Sequence, residues 1–201
     1  MIGRLLALLG EPVCLGCARP WQSASFCAAC QSALVRGGVR GDLMCGFLYT
    51  GPLQRAILRW KEHGKEQHGG PLGGLFAARA KMLVATPLDF IVPVPPAFWR
   101  TLRRGFHPPD VLAHAAARAL GIEVLKRALV RTDSARQMGR DRRSRARALI
   151  DKGRAIDRVT GKHVLVVDDV MTTGATARAA MSVIAAARPA SVRFLALAAV
   201  P

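Results

Sequence analysis

Val164-Leu-Val-Val-Asp168-Asp169-Val170-Met171-Thr172-Thr173-Gly174-Ala175-Thr176 is the stretch of this 201-residue chain with the most chemistry in the fewest residues. Val164–Val167 is a continuous apolar, largely β-branched run, as in a central parallel strand buried on both faces. It delivers two carboxylates at its C-terminal end. A Thr/Gly turn follows, and then a helix begins. In an open α/β sheet, ligands sit at this point. A helix N-terminus offers N–H groups and partial positive charge to a phosphate. The hydroxyls of Thr172, Thr173 and Thr176 add donors, while Gly174 and Ala175 allow close backbone approach. Two adjacent carboxylates suit vicinal sugar hydroxyls, each accepting an O–H hydrogen bond. The chain has no G-x-x-x-x-G-K-[ST], so Asp168-Asp169 is not read as the partner of a P-loop. It also lacks G-x-G-x-x-G, H-E-x-x-H and G-x-S-x-G.

The second constellation is made of thiols. Cys14-Leu-Gly-Cys17 is followed after nine residues by Cys27-Ala-Ala-Cys30. Two Cys-x-x-Cys knuckles at this separation suit tetrahedral Zn²⁺, and four protein ligands leave no open position for catalysis, so the site would be structural. A pair of disulfides is the alternative, and it requires an oxidising compartment that nothing else in the sequence suggests. Cys45, alone in an apolar stretch, reads as a small buried hydrophobe. His63 and His68 read as exposed loop histidines.

Composition narrows the partners. The chain is 51% hydrophobic, enough for a real core, and carries a net charge of +17 from 30 Lys+Arg against 13 Asp+Glu. A polyanion or a phosphate-rich small molecule is the matching partner class. Residues 100–162 hold 17 basic and six acidic residues, and seven arginines fall between Arg131 and Arg147. Clustered arginines such as Arg140, Arg142 and Arg143 can follow a phosphate backbone, but no aromatic interleaves them for base stacking. A solvated face is the bland alternative. No apolar run reaches the ~18–20 residues of a membrane span. The patch Leu5–Leu9 lacks a following cleavage site and reads as a short amphipathic helix. A cytoplasmic location is expected.

These residues need elements to hold them. Residues 43–49 read as a strand and 53–60 as a helix with apolar residues at helical spacing. Residues 61–70 read as a polar, Gly-rich loop, and about 71–85 as a helix. Asp89–Pro96 is a short buried strand cut off by prolines. Pro109–Leu120 is a helix stopped by Gly121. A strand at 122–125, the strand at 164–167, a helix over 176–187 and a strand over 192–200 complete an α/β parallel sheet. The expected units are 1–40, a helix with the four-cysteine zinc module, and 41–201, the α/β domain.

The stretch 164–176 resembles the 5-phosphoribosyl 1-diphosphate (PRPP) binding motif of type I phosphoribosyltransferases. Together with the cysteine knuckles, the whole chain resembles the ComF family, double-zinc-ribbon phosphoribosyltransferase-like proteins linked to bacterial competence. The resemblance implies a type I phosphoribosyltransferase-like parallel sheet flanked by helices, with a small N-terminal zinc-ribbon module. It implies that Asp168 and Asp169 bind the ribose hydroxyls and that Thr172–Thr176 hold the 5′-phosphate. Val92-Pro-Val-Pro95 matches the family's Pro-Val-Pro strand end on the diphosphate side. In Arg104-Gly-Phe-His107, Arg104 would face the diphosphate, and Lys61 falls where the family has a lysine near the site. Gln137 and Arg145 fit a further segment. His107 and Ala148 stand where the pattern has asparagines, which puts the acceptor side in question.

The implied reaction breaks the C1–diphosphate bond through an oxocarbenium-like state. Mg²⁺ arrives with the diphosphate, and Arg104 and Lys61 are the stabilising cations. No general base stands out; His107 is a candidate whose weightier reading is hydrogen bonding or packing. The acceptor is not legible. A non-catalytic alternative keeps a vestigial PRPP site and engages single-stranded DNA or competence and DNA-uptake proteins through the basic surface and the zinc module.

Overall fold

The computed structural model describes residues 12–23, 25–63, 66–84, 86–96, 105–132 and 149–201. The segment Leu5–Leu9, Arg104, Gln137, Arg140, Arg142, Arg143, Arg145 and Ala148 lie outside the described residues.

Eight strands and five α-helices are described: β1 (Val39–Arg40), β2 (Leu43–Leu48), β3 (Phe90–Pro93), β4 (Glu123–Val124), β5 (Leu129–Thr132), β6 (Leu149–Lys152), β7 (His163–Met171) and β8 (Ser191–Ala199), with α1 (Ala28–Ser32), α2 (Gly51–His63), α3 (Glu66–Leu83), α4 (Pro108–Leu120) and α5 (Ala175–Ala186). Six strands form one sheet in the order β1-β2-β8-β7-β3-β4, and β5 pairs with β6 in a separate two-stranded ribbon. All neighbours in the large sheet are parallel except β1 with β2. The fold is therefore mixed α/β, with a mainly parallel central sheet flanked by helices and a four-cysteine cluster at its N-terminal side.

Strand β7 sits near the middle, with Val164–Val167 fully buried. Successive side chains of a strand leave on opposite faces, and the core divides accordingly. Leu165 and Val167 pack with Leu53, Ile57 and Trp60 of α2, Leu72 and Phe76 of α3, and Leu112 and Ala116 of α4. Val164 and Val166 pack with Ala177, Ala180 and Ile184 of α5 and with Ile150 and Ile156.

Two expectations need correcting. The segment 61–70 is largely helix, because α2 runs to His63 and α3 begins at Glu66. Gly69 of that segment serves packing: a Cβ there would lie 3.3 Å from Val111 Cγ1, and one on Gly73, further along α3, would lie 2.8 Å from Ala115 Cβ, so both let α3 approach α4 closely. His68 is consequently buried rather than exposed in a loop. Strand β7 also continues through the acidic pair to Met171 instead of ending before it, because β8 pairs alongside up to Ala199. Helix α4 starts on Pro108 and stops at Gly121, whose φ of 72° is the left-handed conformation glycine adopts without strain.

Candidate active site and cysteine cluster

The end of β7 opens into a cavity of about 390 Å³. From β7 and the turn after it come Asp168, Asp169, Val170 and Thr172, with Thr176 from α5. Lys61 enters from α2, Pro95 and Pro96 follow β3, Phe106 and His107 precede α4, and Tyr49 and Arg131 complete the wall. Residues from several chain segments thus converge where the sheet's strands end.

Because Asp168 and Asp169 lie inside the strand, their side chains start on opposite faces. Asp169 follows Leu165 and Val167 toward α2, where its Oδ2 meets Lys61 Nζ at 2.8 Å. Both side chains are largely buried, 19% exposed for Lys61 and 13% for Asp169, so this pair is shielded far better than a surface bridge. Asp168 folds back: its Oδ1 accepts the Asp169 N–H at 2.8 Å, and Asp169 Oδ1 accepts the Val170 N–H at 2.6 Å. Burial and the neighbouring Asp169 charge push the Asp168 carboxyl well above the ordinary aspartate range. Burial, with Asp169 and Glu62, also raises the Tyr49 phenol.

The turn Thr172–Gly174 is short. Gly174 caps α5 at a φ of 72°, and a Cβ there would fall 2.9 Å from Arg178 Nη1. Arg178 Nη2 donates to the Thr173 carbonyl at 2.9 Å. Met171, Thr173 and Gly174 turn toward a second cavity of about 430 Å³ that also contains Arg40, Cys45 and Arg178. Ala175 lines a small recess with Asp168, Thr176 and Phe194. The turn therefore separates two spaces, with Thr172 lining both.

His107 sits before α4 with Nδ1 3.4 Å from Asp110 Oδ1. Burial opposes ionisation of Asp110, but His107, Lys126 and His114 outweigh it and hold the carboxyl below its usual range. Helix α4 opens on Pro108 and Pro109, which carry no N–H, so the imidazole is the polar group this helix start turns to the cavity.

The four thiols of Cys14, Cys17, Cys27 and Cys30 converge, with all Sγ atoms within 4.8 Å of one another and Cys17 and Cys27 at 3.9 Å. A tetrahedral Zn²⁺ with Zn–S bonds of about 2.3 Å sets sulfurs about 3.8 Å apart, so the cluster fits the metal. The N–H groups of Gly16 and Cys27 donate to Cys14 Sγ at 3.3 and 3.2 Å. Burial opposes ionisation of Cys14, yet these donors lower its thiol, whereas burial and the other three sulfurs raise that of Cys30. A divalent cation would bring both into the thiolate form.

Sequence reasoning missed Tyr49 as a cavity residue, and also Arg55 and Arg59, whose guanidinium groups both donate to the Gly16 carbonyl, at 2.8 and 2.7 Å. Two arginines four apart on a helix were the available signal for the latter pair. Tyr49 gave none, since it stands just past the end of β2.

Residues 108–201, slightly under half the chain, match the family model of the phosphoribosyl transferase domain. The matched part includes Asp168, Asp169 and the turn after them. No curated protein sequence matches the chain. Among solved structures, it is similar to a glutamine PRPP amidotransferase from B. subtilis, complexed with ADP and GMP (21% identity, TM-score 0.45). That alignment covers 63% of this chain and 25% of the other, so the chain spans about a quarter of that enzyme's length. It is also similar to a hypothetical protein from Neisseria gonorrhoeae with bound ppGpp (15%, TM-score 0.45, 66% and 67% covered) and to a hypoxanthine phosphoribosyltransferase from Trypanosoma cruzi (21%, TM-score 0.39, 65% and 64% covered).

Proposed function

We propose that the cavity at the end of β7 binds PRPP with Mg²⁺ and that the protein transfers the phosphoribosyl group to an acceptor. The observation that carries this reading is the Lys61–Asp169 pair lining one cavity with Thr172 and Thr176, the two ends of the Thr172–Thr176 stretch. Asp168 and Asp169 would accept hydrogen bonds from the ribose hydroxyls. Residues Val170, Met171, Thr172, Thr173, Gly174, Ala175 and Thr176 would wrap the 5′-phosphate with backbone N–H groups and hydroxyls. Lys61 would turn from Asp169 toward the departing diphosphate, joined by Arg104. A bound Mg²⁺ would neutralise diphosphate charge. With no protein nucleophile required, catalysis comes from orientation and from cations fixed where negative charge develops. Calorimetry with Mg²⁺–PRPP tests the reading: the wild type binds, and Asp168→Asn with Asp169→Asn does not. Absence of binding by the wild type would refute it.

The cysteine module ahead of the domain supports the narrower likeness to ComF proteins, with zinc as structural metal and the cytoplasm as the compartment where such thiolates persist. One observation favours a second role in handling single-stranded DNA, with competence or DNA-uptake proteins as partners. Arg131 lines the cavity at the end of β5, and the sequence running on to β6 adds six more arginines. A polyanion engaged there would bind with a steep salt dependence. Neutralising Arg140, Arg142 and Arg143 lowers both affinity and salt slope on this reading; unchanged values remove it. The units 1–40 and 41–201 remain our proposed division of the chain.

A further inference from the structure

Helix α2 is gripped at one end and chemically engaged at the other. The carbonyl of Gly16, inside the first cysteine knuckle, accepts from Arg55 Nε at 2.8 Å and from Arg59 Nη2 at 2.7 Å. A Cβ on Gly16 would fall 2.7 Å from Cys30 Sγ and 2.8 Å from Pro52 Cβ, so the knuckle lies directly on the first turn of α2. Cys14, Leu15, Phe26 and Cys30 share one apolar core with Leu53, Ile57 and Trp60 of that helix. Two residues past Arg59, Lys61 meets Asp169 at 2.8 Å. At about 100° per residue, Lys61 points about 200° away from Arg59, so α2 carries the knuckle on one side and the cavity on the other. Trp60, which is 1% exposed, rests against Phe106 of the cavity wall with ring centroids 5.5 Å apart.

Charge points the same way. Four thiolates around one Zn²⁺ form a net dianion, and Arg55 and Arg59 are the cations bonded to its knuckle. Metal bridging Cys14 and Cys17 to Cys27 and Cys30 would tie the two knuckles together and so hold the Gly16 carbonyl that Arg55 and Arg59 grip.

We propose that Arg55 and Arg59 are positioning residues for the Lys61–Asp169 pair, so that metal in the four-cysteine cluster is a condition for tight anion binding in the cavity at the end of β7. The inference rests on the reading of that cavity as the PRPP site. It assigns the cysteine module a task in the chemistry of the domain rather than a separate one.

A double-mutant cycle on the full-length, zinc-loaded chain tests it, with Mg²⁺–PRPP affinity as readout and zinc content and circular dichroism as controls. Arg55→Met/Arg59→Met keeps its zinc and weakens PRPP binding by about threefold to thirtyfold, the range of couplings carried through packed elements. In a Lys61→Met background the same change has no further effect, because the residue being positioned is already gone. Arg59→Lys, which restores one donor and the charge, recovers part of the loss and serves as the variant of record if the double change does not fold. Removing zinc from the wild type reproduces the loss. An unchanged affinity, or an equal loss with and without Lys61, overturns the clamp while leaving PRPP binding intact. Failure of the wild type to bind PRPP overturns both.

Discussion

Two regions of this molecule hold the candidate site, and they are built in opposite ways. The β7–turn–α5 segment supplies Asp168, Asp169, Thr172 and Thr176 from nine consecutive residues. The α2–knuckle region supplies only Lys61, yet positions it through Cys14–Cys30, Gly16, Pro52, Arg55 and Arg59. In the first, local backbone geometry places the groups: a buried strand, a three-residue turn and a left-handed Gly174. In the second, placement depends on a tertiary contact between segments 39 and 43 residues apart. A contiguous site tolerates changes around it; an assembled site fails wherever one of its supports fails.

Loss of the metal separates the regions most sharply. Chelation of zinc from the cluster should lower the melting temperature on the order of 10 °C, since structural zinc contributes several kcal/mol and a chain of this size shifts by about 2–4 °C per kcal/mol. Differential scanning fluorimetry with and without chelator measures it. A melting temperature that does not move would mean the cluster holds nothing the fold needs, and the contrast between the regions would collapse. Gly16→Ala is the next largest break. The added Cβ meets Cys30 Sγ at 2.7 Å and Pro52 Cβ at 2.8 Å, and overpacking of this kind costs about 1–3 kcal/mol. Urea unfolding should register it as a lower midpoint with the slope unchanged.

Asp168 gives an effect of opposite sign. Its folded-state pKa is raised by burial and by Asp169, so the stability of the fold is full below the unfolded pKa and falls as pH climbs through the folded one. Asp168→Asn therefore stabilises the free protein at neutral pH, by about 0.5–2 kcal/mol, while abolishing PRPP binding. Stability that instead falls at pH 7 would show that the carboxylate is held by compensating donors rather than strained by its neighbour. Such a trade of stability for function is expected of a binding group and not of a packing one.

Legibility followed the same division. The strand, turn and helix at 164–176 could be read because each signal is local: β-branched residues, then carboxylates, then Thr and Gly. Even there the strand's end was misplaced, since pairing of β7 with β8 up to Ala199 carries it to Met171. The knuckles were readable from spacing alone, because thiols that bind one metal must be close in sequence or brought close by it. Lys61 was assigned through resemblance, but its partner Asp169 and its support by Arg55 and Arg59 lie in contacts that no window of sequence contains. Gly69 misleads for a physical reason: glycine marks both a turn and a close helix approach, and only its neighbour Val111 on α4 decides which. The ribbon of β5 and β6 was missed because short strands beside an arginine run show no clean alternation.

The smallest effect is expected at Asp110, whose partner His107 lines the cavity wall and belongs to neither region. Asp110, in the first turn of α4, has its carboxyl lowered by His107, Lys126 and His114 against the cost of burial. A depressed folded-state pKa means its contribution is present above the unfolded value and lost as pH falls through the folded one. Its side chain is 36% exposed, so solvent screens the interaction, and Asp110→Asn should cost only about 0.5 kcal/mol at pH 7 and nothing near pH ~2. Urea midpoints at the two pH values give the comparison. A larger penalty at pH 7 would mean that the His107–Asp110 pair braces the cavity wall as the Gly16 clamp braces α2, and the site would then have two assembled supports. A penalty that persists in acid would point to packing of the side chain and not to its charge.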